Sequence, residues 1–127
     1  MAVFAGSTPK YLLRIRNEAG TQLDPSNLAQ VTEVKVFIYN AITGAYVARF
    51  ILNASTLPAG FTVLSTKDLG DGDIRVLMVL TAVMTTAAEG NRNEIQVNVE
   101  MPDAEVPSGT KVLILKGKFH EVLPAKT

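Results

Sequence analysis

The sequence predicts an all-β domain, an antiparallel sandwich of about seven strands. Polar and apolar residues alternate without a break from Glu94 to Met101, the period-2 pattern of a half-buried strand. Short β-branched and aromatic runs elsewhere are separated by Gly, Pro, Asn and Asp clusters roughly every 8–15 residues. No stretch carries the 3.6-residue periodicity of a long helix.

In chain order, Tyr11, Leu13 and Ile15 alternate with Leu12, Arg14 and Arg16 in a first strand, which stops at Asn17-Glu18-Ala19-Gly20. Asp24-Pro25-Ser26-Asn27-Leu28-Ala29 fits one helical turn with Pro at its first position. Residues 31–39 form the next strand, with Val34, Val36 and Ile38 on one face and Lys35, Phe37 and Tyr39 on the other. Asn40-Ala41-Ile42-Thr43-Gly44 turns the chain, and residues 45–52 return as the second arm of a hairpin. A loop with Pro58 and Gly60 precedes the short run 61–64. Lys67-Asp68-Leu69-Gly70-Asp71-Gly72-Asp73 is the densest turn signal. The apolar run 74–81 then reads as a central strand, or one with both faces covered.

Thr85-Thr86-Ala87-Ala88-Glu89-Gly90 fits one helical turn before the alternating strand. In that strand Ile95, Val97, Val99 and Met101 face the core, Glu94, Gln96, Asn98 and Glu100 face water, and Pro102 and Asp103 end the pairing. The last strand, residues 111–122, contains Val112-Leu113-Ile114-Leu115 and then Gly117, a position suited to a bulge. The organisation is an N-terminal arm (residues 1–9), one sandwich domain (10–123) and a short tail (124–127).

Composition excludes several kinds of chemistry. The 127 residues carry 12 basic and 12 acidic side chains, so the electrostatic footprint of a nucleic-acid or anionic-membrane binder is missing. The longest apolar stretch, Val76 to Met84, is far shorter than the ~18–20 residues a membrane helix needs. The first residues lack a basic stretch and a long apolar core, so no secretory signal is read and the Asn53-Ala54-Ser55 sequon is read as chance. No cysteine is present, which removes disulfides, thiolate metal sites and cysteine nucleophiles. A single histidine, His120, stands without a Gly-x-Ser-x-Gly elbow and reads as an edge residue rather than a general base. Asp68, Asp71 and Asp73 lack the spacing of an EF-hand loop and serve a turn, so chelation is expected to leave the melting temperature unchanged. Glu94 and Glu100 lie about 20 Å apart along one strand, too far for paired-carboxylate chemistry. Lys111, Lys116 and Lys118 read as guards on an exposed strand edge. No cofactor, metal or small-molecule substrate is expected.

The remaining signal is an excess of apolar residues. Residues 74–80, Phe37 with Tyr39, and residues 112–115 place apolar side chains on both faces of their strands, more than one sandwich interior can cover. Another subunit or the N-terminal arm is expected to pack there, the alternative being crossing loops of the same chain, and the candidate interface is Phe37, Tyr39, Tyr46, Leu77, Val79, Leu113 and Leu115. An alternative is a carbohydrate- or surface-binding module, which requires Phe37, Tyr39 and Tyr46 to be exposed together.

Two stretches, Arg16-Asn17-Glu18-Ala19-Gly20-Thr21-Gln22-Leu23-Asp24 and Glu33-Val34-Lys35-Val36-Phe37-Ile38-Tyr39, resemble the opening of small immunoglobulin-like β-sandwich domains of tailed-phage virions. Baseplate upper protein N-terminal domains and head or tail decoration modules are the family meant. Thr85-Thr86-Ala87-Ala88-Glu89-Gly90 before the alternating strand is similar to their Thr and Gly loop, and residues 109–122 resemble their closing strand pair. The chain departs from the baseplate pattern at Gly90-Asn91-Arg92, where a Gly-Tyr usually begins the penultimate strand. The resemblance implies an immunoglobulin-like fold and a non-enzymatic role in a virion, assembled in the host bacterial cytoplasm. The implied partners are other virion proteins and further copies of the chain.

Overall fold

Valine or isoleucine at every second position of residues 34–38 fixes the centre of the fold, because β-branched side chains suit a pleated surface and the intervening residues must face the other way. The computed structural model describes residues 3–13, 32–52, 56–68 and 74–125. Predicted features at residues 14–20, the helical turn at 24–29, the sequon at 53–55 and the aspartates Asp71 and Asp73 lie outside them.

The elements are β1 (Val3–Phe4), β2 (Lys10–Leu13), β3 (Glu33–Asn40), β4 (Tyr46–Leu52), β5 (Thr62–Val63), β6 (Ser65–Asp68), β7 (Ile74–Val79), α1 (Ala82–Ala88), β8 (Asn93–Pro102), β9 (Thr110–Lys118) and β10 (Val122–Leu123). One sheet has the order β5-β4-β3-β8-β9, a second the order β2-β7-β6, and β1 pairs with β10. Neighbours are antiparallel except for the parallel pairs β4/β5 and β1/β10. The fold is all-β with one short helix, as the sequence predicts at that level.

The predicted hairpin is β3/β4. Asn40 closes it by accepting hydrogen bonds on its Oδ1 from the Ile42 and Thr43 amides, and Gly44 adopts φ 76°. Register then aligns the inward residues in rows across four strands: Leu52, Val34, Val99 and Leu113; Phe50, Val36, Val97 and Leu115; Ala48, Ile38, Ile95 and Gly117. Against these rows lie Val76, Met78 and Leu80 from the second sheet and its continuation, so both sheets share one core with Phe50 as its largest fully buried side chain. Leu64, between β5 and β6, is the buried corner where the chain leaves one sheet for the other. The predicted central strand is β7, flanked by β2 and β6.

Two local expectations are corrected. The helix starts three residues earlier than Thr85, because Thr81 caps it by accepting from the Met84 amide, and its seven residues end at Ala88. Gly117 forms no bulge: the β8/β9 register runs through it unbroken opposite Ile95, and the irregularity falls in the β3/β4 pair instead, where Val47 of β4 is left without a partner opposite Ile38 and Tyr39.

Helix α1 also anchors the N-terminal segment. Thr85, fully buried, accepts from the Gly6 amide at 3.0 Å and donates to the Ser7 carbonyl at 2.9 Å. Val3, Ala88 and Val122 close a second small apolar cluster beneath this junction. Residues 3–7 are therefore fixed against α1 and β10.

Candidate functional site

A sheet of three strands spans about 10 Å between its outer strand axes and one of five about 19 Å, at ~4.8 Å per strand. The smaller sheet cannot cover the larger. Burial along the inner rows records the overhang. Val34 and Val99 are fully buried, Leu113 is half-buried, and Leu115, beyond Val36 and Val97, is 45% exposed. On the opposite face of β9, Val112 is 48% and Ile114 57% exposed. Strand β9 is thus apolar on both faces and, among the described residues, has a neighbour on one side only.

The free side of β9 can be assigned by hydrogen-bond parity. The Phe119 amide donates to the Asn93 carbonyl at 3.0 Å and the Asp103 amide to the Gly109 carbonyl at 3.1 Å. In an antiparallel ladder, bonded pairs recur at every second residue, so Lys111, Leu113, Leu115 and Gly117 spend their main-chain groups on β8. The N–H and C=O groups of Val112, Ile114, Lys116 and Lys118 point away from it.

The outer face of the five-stranded sheet carries a second feature. Two rows run across it: Arg49, Phe37, Gln96, Lys116 and Tyr46, Tyr39, Glu94, Lys118. Phe37 packs against Tyr46 with ring centroids 5.8 Å apart and against Phe61 at 6.0 Å. The Arg49 guanidinium lies 4.9 Å from the Tyr46 ring and 5.1 Å from that of Phe61, stacked between them. An open depression of about 380 Å³ is bounded by Phe37, Tyr39, Gly44, Tyr46, Gln96, Asn98 and Lys116. Tyr39 donates to Glu94 Oε2 at 2.8 Å; that hydrogen bond to a carboxylate, followed by partial burial, raises its phenol pKa.

The seven residues singled out from sequence fall in three places. Phe37, Tyr39 and Tyr46 lie together on the outer face of the five-stranded sheet, Phe37 and Tyr39 half-buried and Tyr46 59% exposed. Leu113 and Leu115 lie on the inner face of β9. Leu77 and Val79 lie on the outer face of the three-stranded sheet, beside Leu12 and Lys10 of β2. The candidate interface took only Leu113 and Leu115 from β9, although the run 112–115 reads as apolar on both faces and Val112 and Ile114 form the second one. It also missed Arg49, which the irregularity at Val47 sets on the same face of β4 as Tyr46, and Phe61, which the β4/β5 junction brings against Arg49 and Phe37.

His120 is exposed and stacks on Tyr11 with centroids 5.8 Å apart. No group of three or more His, Asp or Glu side chains able to hold a metal occurs among the described residues. Among them, no helix is long and apolar enough to cross a membrane. Comparison with protein-family models, with curated proteins and with solved structures finds no match for this chain.

Proposed function

We propose that the chain is a non-enzymatic structural subunit of a tailed-phage virion, an immunoglobulin-like sandwich that docks onto a symmetric assembly through apolar strand faces. The observation that carries the docking role is β9, apolar on both faces and at the edge of its sheet among the described residues, with Val112, Ile114 and Leu115 each close to half exposed. A large exposed apolar strand is a liability in a solitary protein and a contact surface in an assembled one.

The strand order supports the immunoglobulin-like reading. Such a sandwich sets strands B, E and D in one sheet, and C″, C′, C, F and G in the other in its variable form. Taking β2 as B and β3 as C gives β2-β7-β6 the order B-E-D and β5-β4-β3-β8-β9 the order C″-C′-C-F-G. The parallel β4/β5 pair departs from that scheme. The virion setting rests on the sequence resemblance at residues 16–24, 33–39, 85–90 with 94–101, and 109–122. Quantitative mass spectrometry of purified particles of the encoding virus tests it: the chain is expected in multiple copies per particle, and its absence from particles overturns the reading.

The aromatic depression favours a second reading, a carbohydrate-binding module. Tyr46 offers an exposed ring for a sugar face, and Gln96, Asn98 and Lys116 offer polar groups at the rim. A glycan array on the purified chain would show hits that vanish in Tyr46→Ala; an array without hits removes this reading.

A further inference from the structure

Resting on the docking role proposed above, we infer that β9 is the contact between two copies of this chain, joined edge to edge about a two-fold axis through Ile114 into one continuous ten-stranded sheet. The parity derived above leaves Val112, Ile114, Lys116 and Lys118 with outward N–H and C=O groups. An antiparallel partner strand is the structure that satisfies such a row completely. With Ile114 on the axis, the bonded pairs are Ile114 with Ile114 of the second copy, Val112 with Lys116 and Thr110 with Lys118. On the inner face Leu113 meets Leu115 of the second copy, which covers the overhanging leucines that the three-stranded sheet leaves open.

Charge favours this occupant and this register. On the outer face near the start of β9, Glu100 flanks Val112, with Glu33 beyond it already paired to Lys35 at 3.1 Å; the end of β9 carries Lys116 and Lys118. A two-fold axis through Ile114 lays the basic end of each copy beside the acidic end of the other. Lys116 of the second copy then stands two strands from Glu100, about 10 Å between backbones at ~4.8 Å per strand, within reach of two long side chains. Glu94, beside Lys118, is already engaged by Tyr39. Centring the pair on Lys116 instead would set two lysines directly opposite, which is destabilising.

The edge is about 30 Å long and about 10 Å thick, so pairing buries roughly 600 Å² in total, below the ~1,200 Å² of a stable free-standing interface. The isolated pair is therefore weak and concentration-dependent, and copies held in an assembly reinforce it.

The chain contains no cysteine, so one engineered thiol reports the contact without competition. Bonded antiparallel pairs have Cα atoms ~5.5 Å apart, within disulfide range. Oxidised Ile114→Cys at high protein concentration is expected to give covalent dimer at least ~tenfold faster than Ile42→Cys, whose position is 77% exposed in the β3/β4 turn. Ile114→Pro removes an outward N–H and no bond to β8; it should keep the melting temperature within a few degrees while abolishing the concentration-dependent dimer in sedimentation. Ile114→Lys, which sets two lysines on the axis, should do the same. Equal cross-linking of Ile114→Cys and Ile42→Cys, with the unmodified chain monomeric at ~1 mM, overturns the pairing. If the chain is then still present in purified particles, the docking role stands on another surface; if it is absent there too, both fall.

Discussion

Strands β3 and β9 are both rich in aliphatic residues, yet one is sealed and the other is open. Val34, Val36 and Ile38 of β3 are fully buried, whereas in β9 Val112, Ile114 and Leu115 keep 45–57% of their surface. Both strands pair through eight or more residues with β8. They differ in position: β3 has strands on both sides and Val76 and Met78 of the second sheet above it, while β9 ends a sheet wider than the one that covers it. Hydrophobic stabilisation follows area removed from water, so the same residue types contribute fully at the centre and only in part at the rim. What β9 withholds from folding it keeps available for association.

Substitutions matched across that contrast give the largest effects. Ile38→Ala in β3, fully buried, should cost about 2–5 kcal/mol, whereas Ile114→Ala on β9 should cost less than about 1 kcal/mol, both read by urea denaturation of the monomer. Similar losses at the two sites would mean that β9 is as well covered as β3.

The helix end supplies a test of intermediate size. Thr85→Val retains the shape of a buried side chain but leaves the Gly6 amide and Ser7 carbonyl without their partner. It should cost about 1–3 kcal/mol and accelerate exchange of the Gly6 amide in nuclear magnetic resonance. An unchanged exchange rate would show that the N-terminal segment is held by β1 alone.

At the border between core and rim, Tyr11 packs its ring against Phe119, the residue that follows β9, with centroids 5.6 Å apart. Its hydroxyl is buried without a hydrogen-bond partner among the described residues, and burial raises its pKa. Tyr11→Phe removes a desolvated polar atom and should be neutral or stabilising by up to about 1 kcal/mol in thermal melts.

The smallest effect concerns the outer face of β3. Tyr39 is held protonated by its bond to Glu94, so its folded-state pKa lies above the ordinary 10.0. A raised pKa contributes stability that is present below the unfolded value and lost as pH rises through the folded one. Tyr39→Phe should therefore lower stability slightly at neutral pH, where the bond contributes in full, and flatten the loss of stability above about pH 10, so that the two proteins converge at alkaline pH. An identical alkaline limb in both proteins would show that the bond is not formed in solution.

The hairpin, the central strand and the faces of β3 and β8 were legible in the sequence, because period-2 alternation, Asn40 and Gly44 are local signals that need no knowledge of the rest of the chain. The helix start was not, since Thr81 at the end of an apolar run reads as strand until its hydroxyl is seen to cap the Met84 amide. The bulge was misplaced for a related reason: Gly117 permits an irregularity but the unbroken pairing with β8 does not require one. In the candidate site, Phe37 and Tyr39 were legible as an outward pair through alternation. Phe61 and Arg49 were not: Arg49 shares a face with Tyr46 three residues away only because Val47 is unpaired, and the parallel β4/β5 junction is what sets Phe61 against Arg49 and Phe37.

Residue order alone settled which side of each long strand is apolar and where the chain must turn, since both depend on backbone geometry and on neighbours two to four residues away. Only the assembled sheets decided which apolar sides are satisfied within the molecule. That outcome depends on sheet width and strand order, long-range quantities that place β3 at the middle and leave β9 at the margin.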